Sequence, residues 1–423
     1  MYIILNLAPI PTFVEPPHLR DGRRRRRFQP TKGTNMTTAT QSLGIDADRL
    51  GLLPAAIKSD IAAETYDGAV VLVARHGEVI LHEAIGYADR AAGRPVQLDS
   101  VFVTMSMFKP MTSVAVLQCI DRGQIAFTTQ VRDVIPEYAA NGKGNTTIAD
   151  LLLHKAGLPL GAPVPPEVIG DIEATTAAVC NMVPQSVPGT TISYSAILGH
   201  SVLAEIVRRV DGGSRTFGRI LNDDLIEPLG MFDTSLGAGL RARLTERAVP
   251  LVVRDRGPAL FAPELIEGVG VAAAIEGVEI PAGGAYTTAG DWFRFAEALR
   301  RGGELDGVRV LSPAILRLAT TIATGDLPNS LWDYTRQMRG WPEMPANLGL
   351  GFYVRGSGVF MHPFGLLSSP ATFGGIGSGS TCFWVDPDRE ISYVFLSAGL
   401  MEDSYSSERH QRYADLVQSA VMD

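Results

Sequence analysis

Cysteine is scarce in this chain of 423 residues, and its few copies are poorly placed for disulfides. Cys119, Cys180 and Cys382 are odd in number, far apart and embedded in apolar runs. That arrangement predicts reduced thiols in the core of a cytoplasmic protein. Histidine is sparse as well, and its seven copies show no HExxH or similar ligand spacing. We therefore expect no metal site and no cofactor.

Clustered positive charge and long apolar segments are missing from most of the chain. The net charge is −8 at pH 7, and no basic stripe follows the N-terminal tail, so we expect no nucleic-acid partner. No apolar run approaches the ~20 residues that span a bilayer. The opening segment Met1–Leu7 lacks the basic flank and cleavage site of a signal peptide. These absences predict a cytoplasmic protein without a membrane partner, and they leave its oligomeric state open.

Residues 1–42 differ in composition from the rest of the chain. They hold a proline-rich stretch and five consecutive arginines, Arg23–Arg27. A basic arm that binds nucleic acid or a membrane surface is one interpretation. We favour a flexible N-terminal leader, with Met36 as an alternative natural start. Folded sequence is expected from residue 43 onward.

The segment from Val101 to Ile120 carries the main chemical signal. It contains Ser106-Met-Phe-Lys109 and is apolar on almost every side up to Ile120. Such a segment predicts a helix buried all round, with Pro110 in its first turn and Gly123 at its end. Ser106 and Lys109 would then be neighbours, because residues three apart lie on one helix face.

That spacing suits a nucleophile and its base. A serine hydroxyl needs a base to remove its proton, and burial favours the uncharged form of a lysine amine. The helix N-terminus adds N–H groups that suit a developing oxyanion. A capping serine beside a lysine whose charge reaches solvent is the alternative interpretation, and the spacing by itself does not exclude it.

The order of predicted elements indicates an α+β fold. Strand pairs are expected near both chain ends, at residues 68–84 and 381–397, with helices between them. One such helix follows Tyr194, which is expected at a strand-to-helix corner. His154 lies on an apolar face, where a structural role is favoured over a catalytic one. The aromatic residues of 328–353 predict either the wall of an apolar pocket or core packing.

Three short motifs in this order resemble those of the serine β-lactamase and penicillin-binding-protein-like superfamily, in its class C branch. They are Ser106-Met-Phe-Lys109, Tyr194-Ser-Ala196 and Gly375-Ile-Gly377. Further similar runs are Leu151-Leu-Leu-His-Lys-Ala-Gly-Leu158, Pro188-Gly-Thr190, Pro281-Ala-Gly-Gly284 and Phe383-Trp-Val-Asp-Pro387. Within the superfamily the chain is most similar to family VIII carboxylesterases, over roughly residues 45–420.

The resemblance implies a β-lactamase-like fold with a cleft between two domains. The first would combine residues 43–105 and 284–423 around an antiparallel sheet flanked by helices. The second, residues 106–283, would be mostly helical.

The resemblance also implies roles for individual residues. Ser106 would be the acylated nucleophile, with Lys109 and Tyr194 sharing the proton transfers. Which of these two takes the first proton stays open. The backbone N–H groups of Ser106 and Ser378 would form the oxyanion hole. Substrate would be bound along Ala196, Gly375, Ile376 and Gly377.

Two departures from the superfamily pattern bear on the substrate. The second motif commonly ends in asparagine, but here it ends in Ala196, which offers no side-chain hydrogen bond. The third motif commonly begins with a lysine that holds a substrate carboxylate, but here it begins with Gly375. Both changes favour neutral esters over β-lactams and peptidoglycan.

The expected activity is therefore hydrolysis of a small or mid-sized carboxylic ester through an acyl-enzyme on Ser106. An acyltransferase, lactonase or amidase of the same superfamily is the nearest alternative. A β-lactamase or D-peptidase is a more distant one. A family-like scaffold without catalysis conflicts with the presence of all three catalytic residue types.

Overall fold

The structure is a computed structural model that describes residues 41–239, 242–255 and 257–422. The predicted leader therefore lies, apart from its last two residues, outside the described residues. The helices are α1 (Ala47–Leu50), α2 (Leu52–Ala62), α3 (Lys109–Asp121), α4 (Val131–Val134), α5 (Ile148–Leu152), α6 (Ile172–Asn181), α7 (Leu198–Val210), α8 (Phe217–Leu221), α9 (Ala242–Thr245), α10 (Pro263–Ala273), α11 (Ala289–Arg300), α12 (Pro313–Ala319), α13 (Asp333–Arg339) and α14 (Asp403–Ser419).

Twelve strands accompany these helices in the described part of the chain. They are β1 (Gly68–Arg75), β2 (Glu78–Asp89), β3 (Arg94–Pro95), β4 (Phe102–Val103), β5 (Tyr286–Thr287), β6 (Glu304–Leu305), β7 (Val308–Arg309), β8 (Leu348–Gly349), β9 (Phe352–Val354), β10 (Phe373–Gly377), β11 (Thr381–Asp386) and β12 (Ile391–Ala398). Eight of them form one sheet in the order β3-β2-β1-β12-β11-β10-β9-β8. Every neighbouring pair in it is antiparallel.

The two chain ends meet in the middle of this sheet. Strand β1 pairs with β12 from Gly68 opposite Ala398 to Arg75 opposite Ile391. The predicted α+β, β-lactamase-like fold, with one antiparallel sheet built from both ends of the chain, is thereby confirmed.

Both faces of the sheet are covered by other elements. Successive side chains of a strand point to opposite faces, so the central strands contribute to two separate core clusters. On one face Val70, Leu72, Phe383 and Val394 belong to the large core cluster that also includes residues of α3, α7 and α11. On the other face a second cluster packs beneath α1, α2 and α14. The sheet is thus the middle layer of the fold. Its strand β10 packs against the turn before α3 and against the first residues of that helix.

The central helix matches the expectation except at its start. Eleven of the thirteen residues of α3 are buried, and Gly123 follows it with a φ of +71°. Ser106, however, lies in a 3₁₀ turn, Met105–Phe108, and not in the α-helix itself. Pro110 has no N–H to reach the Ser106 carbonyl, so the Lys109 N–H takes that acceptor in the tighter bond of the 3₁₀ turn.

The proposed division at residues 105/106 and 283/284 remains a prediction. The named elements between Lys109 and Ala273 are all helical within the described residues. Strand elements flank this segment on both sides. The helical middle of the chain and the sheet-forming ends therefore differ as expected in secondary structure.

The C-terminal helix begins at Asp403, although the sequence predicts a helix only from about residue 408 to residue 422. The first turn is polar and lacks the apolar spacing of a helix face, which hid it in the sequence. Its start is set by the Glu402 carboxylate, which accepts hydrogen bonds from the N–H groups of Ser404 and Tyr405. Asp403 therefore occupies the first position of a 17-residue helix.

The aromatic segment 328–353 contains the unpredicted helix α13, and it mainly packs internally. Trp332 is 5% exposed and lies 5.5 Å from the ring of Tyr353, centroid to centroid. Trp332 also borders a polar cavity lined by residues 325–346. Of the two interpretations of this segment, core packing is the one that the structure supports.

Candidate active site

The backbone around Ser106 is strained and tightly enclosed. Met105, directly before it, has a φ of +48°, a conformation that side-chain-bearing residues rarely adopt. A Cβ atom on Gly283 would lie 2.7 Å from the Met105 carbonyl carbon, and one on Gly377 would lie 2.8 Å from the Met105 Cβ. The two glycines thus let their backbones press against the turn and hold the Ser106 hydroxyl at a sharp corner.

Lys109 projects from the first position of α3 toward this hydroxyl. Its Nζ lies 2.8 Å from Ser106 Oγ, 2.8 Å from the Ala196 carbonyl oxygen and 3.2 Å from the Ala282 carbonyl oxygen. The side chain is 4% exposed, and burial lowers the pKa of Lys109 to about 7. A substantial fraction of this amine is therefore uncharged at neutral pH.

Tyr194 completes the contacts of the serine. Its hydroxyl donates to Ser106 Oγ at 2.8 Å, and Lys109 Nζ lies 5.0 Å from the centre of its ring. Burial raises the pKa of Tyr194, the hydrogen bond to Ser106 opposes that shift, and Asp403 adds to it. The phenol therefore keeps its proton at neutral pH and acts as a donor in the resting site.

His154 holds the segment that carries Tyr194. Its carbonyl accepts the Ser193 N–H at 2.9 Å, and its ring Nδ1 accepts the Ser195 N–H at 3.2 Å. The ring centre lies 4.8 Å from that of Tyr194, and burial lowers the pKa of His154 to about 3. A neutral imidazole that is hydrogen-bonded to the backbone is what the predicted structural role requires.

The expected oxyanion hole lies where β10 ends beside the 3₁₀ turn. Ser106 stands in the first turn of a helix, where N–H groups have no intrahelical acceptor. Ser378 directly follows β10, and both serines line the same cavity. The geometry brings the two residues together as expected, while their role remains a proposal.

The cavity at Ser106 is small and almost entirely apolar. Its volume is about 80 Å³, well under the about 150 Å³ of an engineered cavity that accepts benzene. Its polar boundary consists of the two serines. The apolar boundary includes Ile169, Ala196, Leu265, Ile266, Val269 and Ile280. Helix α10 and the 161–169 segment thus wall the cavity, and the sequence had not assigned either of them to the site.

Only one of the four expected substrate-contacting residues lines this cavity. Ala196 does so, and its carbonyl also accepts from Lys109. Gly375 and Gly377 face the start of α3 instead: a Cβ on Gly375 would lie 2.9 Å from Pro110 Cγ. The Ile376 side chain packs on the opposite face of the sheet, and its expected contact with substrate remains a prediction. Period-two alternation along β10 sends residue 376 away from its neighbours.

The close approach at Gly375 also bears on substrate charge. A lysine at this position would drive its Cβ into Pro110, so the glycine is required by packing as well as uncharged. The cavity lining contains no Lys or Arg among the residues that the structure describes. The site therefore brings together a serine hydroxyl, a buried amine with a lowered pKa and a phenol, and its lining has no cation for a substrate carboxylate.

Metal chemistry and membrane insertion find no support in the described ranges. No group of three or more His, Cys, Asp or Glu side chains there is placed to hold a metal ion. No helix in the same ranges combines the length and the apolar character needed to cross a bilayer. The three cysteines are free and buried, as predicted.

Comparison with known proteins points in the same direction as the geometry. A family model described as Beta-lactamase matches residues 53–418. Esterase/beta-lactamase LipL of Mycobacterium tuberculosis is 25% identical over 373 residues, which cover 84% of this chain and 82% of LipL. Esterase EstB of Burkholderia gladioli is 28% identical over 349 residues, covering 75% and 80% of the two chains.

A solved structure gives an independent comparison of the fold. The crystal structure of a family VIII carboxylesterase aligns with a TM-score of 0.71 at 22% identity. The alignment covers 89% of this chain and 99% of that one.

Proposed function

Because the chain belongs to the beta-lactamase family, as a serine hydrolase of that fold, we propose that it is a carboxylesterase acting through an acyl-enzyme on Ser106. The observation that carries this proposal is the convergence of Lys109 Nζ and Tyr194 Oη on Ser106 Oγ, each at 2.8 Å. Such a convergence supplies a base and an acid to one hydroxyl.

The surroundings of Lys109 favour it as the first base. A neutral amine has two N–H bonds and one lone pair. The carbonyls of Ala196 and Ala282 accept the two N–H bonds, which leaves the lone pair directed at Ser106 Oγ. Tyr194, whose pKa is raised by burial, keeps its proton and is the poorer base.

The proposed reaction then runs in two stages. Ser106 Oγ attacks the ester carbonyl as its proton moves to Lys109, and the N–H groups of Ser106 and Ser378 stabilise the oxyanion. Tyr194 protonates the departing alkoxide, and the proton on Lys109 restores the phenol. Water then attacks the acyl-enzyme with the same groups, releasing the acid and restoring Ser106.

The cavity supports esters of short apolar acids as substrates. A volume of about 80 Å³ lined by aliphatic side chains accommodates a few carbons and desolvates them without requiring a charge. Esterases among the relatives support the same bond class. We therefore propose acetyl to butyryl esters as better substrates than octanoyl esters.

The test is hydrolysis of p-nitrophenyl acetate, butyrate and octanoate by the wild type and Ser106→Ala. Loss of the nucleophile should lower kcat at least about a thousandfold. Ser100→Ala, a buried serine outside the site, is the matched control and should retain activity. Undiminished turnover in Ser106→Ala would remove the proposed nucleophile, and nitrocefin turnover rivalling ester cleavage would shift the proposal to a β-lactamase.

Intact mass measurement after exposure to a phosphonate probe gives a second readout. A stoichiometric adduct on the wild type, absent from Ser106→Ala, is the expected result. An adduct that persists in the variant would place the nucleophile elsewhere.

A further inference from the structure

The turn after β10 is tied to the start of α14. Ser378 Oγ donates to the Asp403 carboxylate, at 2.8 Å to Oδ1 and 3.1 Å to Oδ2. The Gly379 N–H donates to Oδ1 at 3.1 Å. In return, the Met401 N–H donates to the Gly379 carbonyl at 3.1 Å. One carboxylate thus takes hydrogen bonds from two successive residues of the turn that carries the Ser378 N–H.

The fit at this junction is close. Gly379 has a φ of +62°, and a Cβ there would lie 2.3 Å from the Met401 carbonyl oxygen. Ser397 Oγ also donates to the Ser380 carbonyl at 2.8 Å, which ties the far end of the turn to β12. The turn is therefore held on two sides, and Asp403 provides the charged contact.

Capping of α14 does not account for the Asp403 carboxylate. Glu402 performs that role, since its Oε2 accepts from the Ser404 and Tyr405 N–H groups at 3.0 and 3.3 Å. The Asp403 carboxylate instead faces the turn. Adjacent acidic residues at one helix end therefore serve two separate structural tasks.

We propose that Asp403 is a positioning residue that aims the Ser378 N–H at the oxyanion of the reacting ester. This inference rests on the proposed esterase function. Hydrogen bonds to a charged acceptor are stronger than those between neutral groups, so the carboxylate restrains the turn before substrate arrives. Because the oxyanion exists only during the reaction, loss of this restraint should lower kcat and leave KM nearly unchanged.

The charged and titratable groups near Asp403 define its pH response. Glu402 lies beside it on the same element, and the phenols of Tyr194, Tyr334 and Tyr353 interact with it from neighbouring segments. Burial raises the pKa of Asp403 to about 6, and its hydrogen bond from Ser378 opposes the shift. Protonation below that pH weakens the acceptor that holds the turn.

The experiment compares Asp403→Ala, Asp403→Asn and Glu402→Ala with the wild type on p-nitrophenyl butyrate. Asp403→Ala should lower kcat about thirtyfold to a hundredfold with KM within about threefold, as expected when an oxyanion donor is misplaced. Asp403→Asn keeps an oxygen acceptor and should recover most of the loss. Glu402→Ala should lower thermal stability and keep kcat within about threefold of the wild type.

Two further readouts separate positioning from general destabilisation. In a double-mutant cycle, Ser378→Ala should cost little once Asp403→Ala is present, because the two side chains act through one contact. Protonated Asp403 still offers an oxygen acceptor, as asparagine does, so the ratio of kcat/KM between the wild type and Asp403→Asn should shrink toward one as the pH falls below 6. Both proteins should keep the slope near one that Lys109 sets.

The two proposals fail in different ways. Equal losses in Asp403→Ala and Glu402→Ala, or a change in KM alone, would overturn the role of Asp403 while ester hydrolysis through Ser106 stood. Turnover that survives in Ser106→Ala would overturn the esterase proposal itself.

Discussion

Two lysines in the described part of the chain, Lys109 and Lys143, are buried, and they differ in the groups that they contact. Lys109 is 4% exposed and Lys143 is fully buried. Each lies over a tyrosine ring, at 5.0 Å from the centre of Tyr194 and 5.6 Å from that of Tyr138. Each Nζ contacts three oxygen atoms, and burial lowers the pKa of both amines. Burial, a phenol nearby and three oxygen contacts therefore do not distinguish Lys109, the proposed base, from Lys143.

The difference lies in what the oxygens are and where they stand on helices. Lys143 Nζ donates to the carbonyls of Ala140, Cys180 and Met182, the last two at the C-terminal end of α6. The partial negative charge at a helix C-terminus stabilises a cation, and it therefore favours the charged form of the Lys143 amine. Lys109 instead begins α3, at the positive end of a helix, and one of its three oxygens is a hydroxyl that can give up a proton.

Replacing each lysine by methionine should give the largest difference between the two sites. Lys109→Met removes the proposed base and should lower kcat/KM on p-nitrophenyl butyrate by about a thousandfold or more. Lys143→Met should leave kcat/KM within about threefold. It should instead lower the free energy of unfolding in urea by about 3 kcal/mol, because three carbonyls lose a donor. Equal loss of activity in both variants would contradict the assignment.

The paired tyrosines should separate in the same way, with a smaller effect. Tyr194→Phe removes the donor to Ser106 Oγ and should lower kcat about a hundredfold, whereas Tyr138→Phe should retain wild-type kcat. Both changes delete one buried hydroxyl, so each serves as the other's control. Steady-state kinetics on an ester with a poor leaving group is the measurement, since protonation of the alkoxide matters most there.

The pH profile should report Lys109 and not Lys143. The pKa of Lys109 is lowered to about 7, and the proposed base is the uncharged amine. Activity should therefore rise with pH, with log kcat/KM gaining about one unit per pH unit below 7 and levelling off above it. Lys143→Met should show the same curve. A profile that is flat from pH 5 to 8 in both proteins would exclude Lys109 as the base.

Stability should depend on pH through Lys109 in the direction opposite to that of a lysine in a salt bridge, whose pKa is raised. Its pKa is below that of the unfolded chain, so between pH 7 and 10 the unfolded state binds the extra proton and stability rises with pH. The free-energy cost of burying the charged Lys109 amine is fully present below pH 7. The free energy of unfolding of the wild type relative to Lys109→Met should thus increase over this range by about 1.4 kcal/mol per unit of pKa shift. A difference independent of pH would contradict the lowered pKa.

Local sequence was sufficient for the elements that depend on neighbours along the chain. The apolar run after Pro110 predicted a buried helix, and Gly123 predicted its end. Apolar runs separated by short turns at 68–84 and 381–397 predicted the paired strands. These signals are local because the periodicity of a helix or strand is visible in residues that are close together in sequence.

Contacts between distant segments were not accessible in this way. Asp403 was missed because its partner Ser378 lies 25 residues away and its own turn looks polar. The packing of the Ile376 side chain against the second core cluster was not predicted, because a motif gives residue order but not the face of the strand. The cavity wall at α10 was missed because its apolar residues resemble those of any buried helix.

What the sequence by itself determined is the buried central helix, the paired strands of the sheet and the set Ser106, Lys109 and Tyr194, through spacing and motif order. Only the tertiary structure decided which buried lysine meets a hydroxyl and which meets helix carbonyls. Only the folded chain, likewise, shows how small the cavity at Ser106 is and which contacts support the turn at Ser378. The physical reason is that charge state and orientation depend on desolvation and on partners far apart in sequence, and packing alone brings those partners together.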